Sequence, residues 1–349
     1  MGSSLLTALP LPAHYDPTSL SSVWRVPYLE RAKSAELWAK EHGIQRAAED
    51  TLRVGLLLVD VQNTFCLPDF ELFVGGRSGR GAVQDNQRLC EFIYRHLGIL
   101  TEIVPTLDTH TAMQIFHPIF WVNEAGEHPE PATMLPVELV EQGIWRANPA
   151  LAELTNGDAD QLQRYALHYA RRLSQAGKYP LIIWPYHSML GGIGHALVAA
   201  VEEACFFHSI VRLSPTGLEL KGAHPLTEHY SALSPEVLED ADGIPLDEPN
   251  LPLIEHLLSF DALIVAGQAK SHCVAWTVND LLQEILRRDP ALTQKIYLLD
   301  DCSSAVVVPG ADFTDAAERD YARFAAAGMH RVHSTDQLSS WPGILGTLA

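Results

Sequence analysis

The chain has 349 residues, 47% of them hydrophobic, and a formal net charge of −19 from 43 acidic against 24 basic residues. No Lys/Arg run exceeds a pair such as Arg171-Arg172, and no apolar run approaches the ~18 residues of a membrane helix, so nucleic acid and membranes are not expected as partners. Five scattered cysteines without C-x-x-C spacing argue against a disulfide framework or a thiolate zinc site, and fit a reducing, cytoplasmic setting.

The N-terminal MGSSLLTALPLPAHYDP lacks a basic n-region and has Leu6 where a myristoylation signal needs Ser or Thr, so neither leader nor lipid anchor is expected. Residues 1–50 read as a proline-bearing extension, helical around Ser34–His42. From Val54 onward, short apolar runs alternate with helical periodicity. Val54–Val59, Ile103–Leu107, Ile210–Leu213, Asp261–Ala266, Lys295–Leu299 and Met329–His333 suit strands covered on both faces. Asn86–His96, His195–Phe207 and Val274–Arg287 carry the helical patterns between them. This alternation predicts an α/β fold with a mainly parallel sheet. Residues 122–180 break the rhythm, although Asp160–Gln175 reads as an amphipathic helix closed by Gly177. Neither this segment nor the extension carries enough apolar residues for a core of its own. The expected organisation is therefore an extension over 1–50 and one domain over 51–349, with an insertion at about 122–180.

In parallel sheets ligands bind at the carboxyl ends of the strands, so polar residues that directly follow apolar runs are the candidates for chemistry. Asp60 follows VGLLLV; its ordinary role is a turn cap, but an acid between Val59 and Val61 is also desolvated enough to act as a general base. In Asp108-Thr109-His110, carboxylate and imidazole stand two residues apart in extended chain and face one side, which suits chelation. His117, His128 and His187 are candidates for a third ligand. Lys221 is an ordinary surface lysine unless held beside Asp60 and Cys273, where its charge would favour thiolate and carboxylate.

Free cysteines are more often inert core than nucleophiles. Cys273 differs by position, because the strand DALIVA ends at Ala266 and a helix starts right after the cysteine. That puts the sulfur at a helix N-terminus, whose unpaired N–H groups favour a thiolate and can hold an oxyanion. Cys90 and Cys205 fall inside helical patterns, Cys66 in a loop, and Cys302 behind Asp300-Asp301, all consistent with structural roles.

The ordered set Asp60, Asp108-x-His110, Trp184-Pro-x-His187, Lys221-Gly, Tyr230-Ser-Ala and Gly267-x-Ala-x-x-x-Cys273-Val resembles the isochorismatase-like cysteine hydrolases, and among them the nicotinamidases. The resemblance covers about residues 52–335 and leaves the extension and the insertion unmatched. It implies a three-layer αβα sandwich with a six-stranded, mainly parallel sheet, and a catalytic triad of Asp60, Lys221 and Cys273. It further implies a cis peptide between Gln268 and Ala269, with the N–H groups of Ala269 and Cys273 as oxyanion hole. Asp108, His110 and His187 are the implied metal ligands, with His117 a candidate extra one, and Phe65 and Trp184 the aromatic walls of the substrate pocket. An oxygen and two imidazoles suit a divalent ion: zinc first, iron or manganese as alternatives. The implied activity is hydrolysis of a small primary amide such as nicotinamide, by an enzyme that self-associates as a homo-oligomer. Other substrates of the family are the nearest alternative: ureido, carbamoyl or maleamate-type amides, or an isochorismate-like vinyl ether. A non-catalytic binding protein on the same fold is the more distant one. Three motifs depart from the usual pattern, reading LDTHT, WPYHS and GGIGH.

Overall fold

The computed structural model describes residues 8–308 and 310–343. The N-terminal positions weighed for a leader or lipid signal, residues 1–7, lie outside the described residues. At its centre is a six-stranded sheet, and we number its strands β1 (Val54–Val59), β2 (Leu100–Asp108), β3 (Glu219–Lys221), β4 (Ala262–Gly267), β5 (Ile296–Leu299) and β6 (His330–Val332). Their order across the sheet is β6-β5-β4-β1-β2-β3, and every neighbouring pair is parallel. The central strands β1 and β4 are apolar throughout and buried at every position, as strands covered on both faces must be.

The long helices are α1 (Tyr28–Glu41), α2 (Gly81–Arg95), α3 (Ala159–Gln175), α4 (Ala199–Arg212), α5 (Leu251–Leu258), α6 (Cys273–Arg288) and α7 (Thr314–Ala326). One face of the sheet shares a core with α2 and α4, through Leu56, Leu89, Ile93 and Phe207. The other packs on α5, α6 and α7, through Leu57, Leu257, Val278 and Phe324. Among the described residues no helix is long and apolar enough to cross a membrane.

One expectation is revised. Ile210–Leu213 is not a strand but the end of α4, which closes on Leu213 in the left-handed conformation at φ 49°. Four apolar-rich residues are too few to tell a buried helical turn from a strand. The strand that completes the sheet is instead β3, only three residues long. The insertion shares a buried cluster with the rest of the domain. Leu162, Tyr165, Ala166, Tyr169 and Leu173 of α3 form a third buried cluster with Phe116, Trp121, Leu181 and Ile183. Its apolar residues are spread over three short segments and meet only in the fold. The segment's ends are stitched by an antiparallel pair, Met134–Leu135 with Leu181–Ile182.

The extension lies against the domain. Leu20 and Ala35 belong to the same core cluster as β1, α2 and α4, Arg31 pairs with the buried carboxylate of Glu203, and Arg212 binds Asp50.

Candidate active site

The carboxyl edge of the sheet gathers the charged residues. Asp60 directly follows β1, Asp108 ends β2, Lys221 ends β3, and Asp108 and Lys221 are register partners. From β4 the chain leaves through Gly267 (φ 119°), where a Cβ would lie 2.1 Å from the Val59 carbonyl oxygen; only glycine can make this exit. The Gln268–Ala269 peptide that follows is cis, and Cys273 is the first residue of α6.

Lys221 is the hub. Its Nζ lies 2.8 Å from Asp60 Oδ2, 2.8 Å from Asp108 Oδ1 and 3.7 Å from Cys273 Sγ, and it donates to the His229 carbonyl at 2.7 Å. Asp60 is itself in the left-handed region (φ 48°), and its Oδ1 accepts from Thr106 Oγ1 at 2.6 Å. Gln62 clamps the backbone of Asp108, accepting from its N–H and donating to its carbonyl, both at 2.8 Å. The sequence-predicted triad is thus one contiguous buried cluster.

Burial raises the Asp60 carboxyl above the ordinary range; the Lys221 cation opposes this, and Asp108 adds to it. Burial would lower the Lys221 ammonium, but Asp108 and Asp60 together hold it well above its usual value. Burial pushes the Cys273 thiol well up, and the Lys221 cation opposes this. The backbone N–H groups of Ala269 and Cys273 have no acceptor among the described residues, whereas those of His272 and Val274 both donate to the Ala269 carbonyl. Two free N–H groups therefore sit beside the sulfur at a helix start.

Next to this cluster, one ligand atom each from Asp108, His110 and His187 lies within 4.8 Å of the others, all three residues buried. His110 presents Nε2 to Asp108 Oδ2 at 2.7 Å, and His187 presents Nε2 to the same oxygen at 3.5 Å. The two Nδ1 atoms face carbonyls, of Gly222 at 3.1 Å and of Pro185 at 2.8 Å. A carbonyl only accepts, so Nδ1 carries the proton on each ring and both Nε2 lone pairs converge on a carboxylate. Acceptors facing one another in a buried site call for a cation, and the donor set fits zinc, iron or manganese. Gly222 (φ 86°) is part of the fit, since a Cβ there would lie 2.8 Å from His110 Cε1. Burial pushes His117 down to about 3; its Nε2 is unpartnered and its ring centroid is 6.0 Å from that of His110. His128 is not in the cluster; its Nδ1 binds the Trp121 carbonyl.

A cavity opens over both groups. Phe65 and Trp184 line it together with Cys273, Ala269, His110 and His187. Sequence reasoning assigned no role to Thr106, Gln62, Glu228 or Tyr230. Trp184 Nε1 donates to Tyr230 Oη at 3.0 Å and to Glu228 Oε1 at 3.3 Å, and Tyr169 Oη donates to Glu228 Oε2 at 3.1 Å. Burial, with Glu236 nearby, pushes the Glu228 carboxyl up to about 8. Tyr230 was visible as part of the Tyr-Ser-Ala motif, while nothing local marks the others.

No family model matches the chain, and no curated protein matches it either. Solved structures do. The Acinetobacter baumanii nicotinamidase/pyrazinamidase aligns with a TM-score of 0.49 at 18% identity, over 83% of this chain and all of that one. Yeast nicotinamidase bound to the inhibitor nicotinaldehyde aligns with a TM-score of 0.49 at 17% identity, over 80% of this chain and 99% of that one. The Pyrococcus horikoshii pyrazinamidase in complex with zinc aligns with a TM-score of 0.43 at 16% identity, over 80% and 99%.

Proposed function

We propose that this chain is a metal-supported cysteine amidohydrolase that cleaves a small, uncharged primary amide of the nicotinamide type. The observation that carries the reading is Cys273 Sγ 3.7 Å from a lysine that also holds Asp60 at 2.8 Å, on the wall of an aromatic-lined cavity. A binding protein needs no buried acid, cation and thiol in mutual contact, and burying them without use is costly.

In the first half-reaction Asp60 accepts the thiol proton as Sγ bonds to the amide carbon. The carbonyl electron pair moves onto oxygen, which the free N–H groups of Ala269 and Cys273 stabilise. Asp60 then delivers its proton to the departing nitrogen, the C–N bond breaks, and ammonia leaves a thioester. In the second half Asp60 takes a proton from water, the hydroxyl oxygen bonds to the acyl carbon, the C–S bond breaks, and Asp60 returns the proton to the sulfur as the carboxylic acid leaves. Lys221 holds Asp60 and Asp108 and keeps the thiol within reach of its base. Asp108, His110 and His187 would hold the divalent ion, which supplies a Lewis-acidic charge and open positions for orienting substrate.

Carboxylate-bearing substrates, such as maleamate or isochorismate, are disfavoured by the cavity. Among the described residues no arginine and no lysine lines it, while Glu71 does. The test is ammonia release by the zinc-loaded protein across nicotinamide, benzamide, maleamate and a ureido acid, with and without chelator. Turnover of nicotinamide that chelator suppresses supports the reading; turnover of only the charged substrates, or of none, overturns it.

A further inference from the structure

The oxyanion hole needs an Ala269 N–H of fixed direction, and the turn that carries it is held from outside by a buried acid the mechanism does not use. Gln268, the residue before Ala269, is 1% exposed and anchored at three points. Its backbone N–H donates to the Val59 carbonyl at 2.8 Å, its Oε1 accepts from the Ser304 N–H at 3.2 Å, and its Nε2 donates to Asp85 Oδ2 at 2.8 Å. The Ser304 N–H can only donate, so Oε1 faces it and the amide nitrogen is left for the carboxylate. On the other side of Ala269, the Lys270 N–H donates to the Ser304 carbonyl at 2.8 Å. Ser304 thus braces both neighbours of Ala269, one through its N–H and one through its carbonyl.

Asp85 lies near the start of α2, 183 positions from Gln268, and is 2% exposed. Its other oxygen accepts from Arg88 Nη2 at 2.7 Å, and Arg88 Nε donates to the Asp301 carbonyl. Gly81, which opens α2, leaves room for the same segment, since a Cβ there would lie 2.5 Å from Ser304 Oγ. The start of α2 therefore grips Gln268 and the 301–304 segment together. A buried acid is costly where apolar residues would pack as well, unless its hydrogen bonds set a geometry that packing alone does not. An oxyanion donor is such a case, because it must be held within ~0.5 Å of its working position.

We propose that Asp85 is a positioning residue, which through the Gln268 side chain and Ser304 holds the Ala269 N–H towards the oxyanion formed at Cys273. The inference rests on the amidohydrolase reading for the role of that N–H, though not for the clamp itself. Asp85 touches neither substrate nor thiol, so its loss should act on the transition state and spare substrate binding.

In the zinc-loaded protein, Asp85→Ala should lower kcat by about tenfold while KM for nicotinamide stays within about twofold. Asp85→Asn keeps an acceptor for Gln268 Nε2 and should restore most of the loss. Gln268→Met should resemble Asp85→Ala, and combining the two should cost little beyond Gln268→Met alone, because both cut one linkage. Nicotinaldehyde reads the same donor without turnover. The Cys273 thiol adds across its C=O bond, sulfur to carbon and proton to oxygen, and leaves that oxygen where the amide oxyanion would form. The adduct's dissociation constant should rise in Asp85→Ala by the same factor as kcat falls. A loss carried by KM, an adduct of unchanged affinity, additive losses, or no rescue by Asp85→Asn overturns the proposal. If the wild-type protein hydrolyses no amide yet forms an adduct whose affinity depends on Asp85, the amidohydrolase reading fails and the clamp stands. If it forms no adduct, the clamp has no oxyanion to serve and fails.

Discussion

The two sides of the cavity are built in opposite ways. On one side stand Asp60, Asp108, Lys221 and Cys273, each at the end of a strand or the start of a helix, with charges that compensate one another across 2.8 Å contacts. On the other stand Phe65, Trp184, Tyr230 and His272, on short turns and loops, in contact mainly through aromatic faces and neutral hydrogen bonds. The sheet edge suits groups whose error tolerance is small, since a parallel register fixes Asp108 beside Lys221. Loops suit groups that select a ligand, since they can be exchanged without disturbing the register. Chemistry and selectivity should therefore break separately.

The largest effect belongs to the sheet edge. Cys273→Ala should lower kcat by roughly four orders of magnitude or more with little change in melting temperature, read by ammonia release and calorimetry. Lys221→Met should be severe in both respects, because Asp60 and Asp108 then face each other in a buried site without a cation. Removing one member of a buried ion pair costs ~3–5 kcal/mol, and urea denaturation would show it. Unchanged stability would mean that the charges are less confined than the 2.8 Å contacts indicate.

A third prediction lies behind the sheet and serves as a reference for both sides. His208 is fully buried, its Nε2 faces the Leu100 carbonyl at 2.8 Å, and burial lowers its pKa from 6.5 to about 4. A base with a depressed folded-state value binds its proton more readily when unfolded. Its contribution is complete above about pH 6.5 and is lost as pH falls towards 4. A shift of this size corresponds to at most ~3 kcal/mol, and a His208→Gln variant should show a correspondingly flatter stability profile between those limits. Asp108, held well below the usual carboxylate range by His110 and Lys221 against the opposing effect of burial, stays ionised over the same window. The smallest effect belongs to the aromatic side. Trp184→Phe keeps the ring but loses the N–H shared by Tyr230 and Glu228, which should raise KM by about tenfold or less and leave kcat nearly unchanged. A fall in kcat instead would mean that the two sides are not separable.

The same contrast explains what the sequence disclosed. Val54–Val59 and Asp261–Ala266 are legible as strands because a strand covered on both faces must be apolar along its length. Once those strands are placed, the residues that end them are marked, and Asp60, Asp108 and Cys273 become visible. The run before Lys221 reads as a strand, but nothing in it marks the sheet's edge, since Leu220 points outward and Glu219 is polar. The aromatic side left fainter traces. Thr106 and Gln62 are ordinary polar residues whose partners lie 46 positions away, and no local pattern encodes such a pairing.

The short strand β3 also constrains the order in which the molecule can assemble. Lys221 is 113 residues from Asp108, and the whole insertion must be passed before the two can pair. Closing so long a loop costs entropy before any contact is made. Until β3 docks, two carboxylates at the ends of β1 and β2 would be without their cation, so that edge of the sheet should gain protection only after β1 has paired with β2. Pulse-labelled hydrogen exchange during refolding should find β1 and β2 slowed first, with β3 and the Thr109 amide, which donates to the Lys221 carbonyl at 2.8 Å, following later. Simultaneous protection would show instead that the insertion forms early enough to deliver β3 with the rest. Reactivity of the thiol would then mark a late step of folding, because base, cation and sulfur meet only when β3 and β4 have both joined β1 and β2.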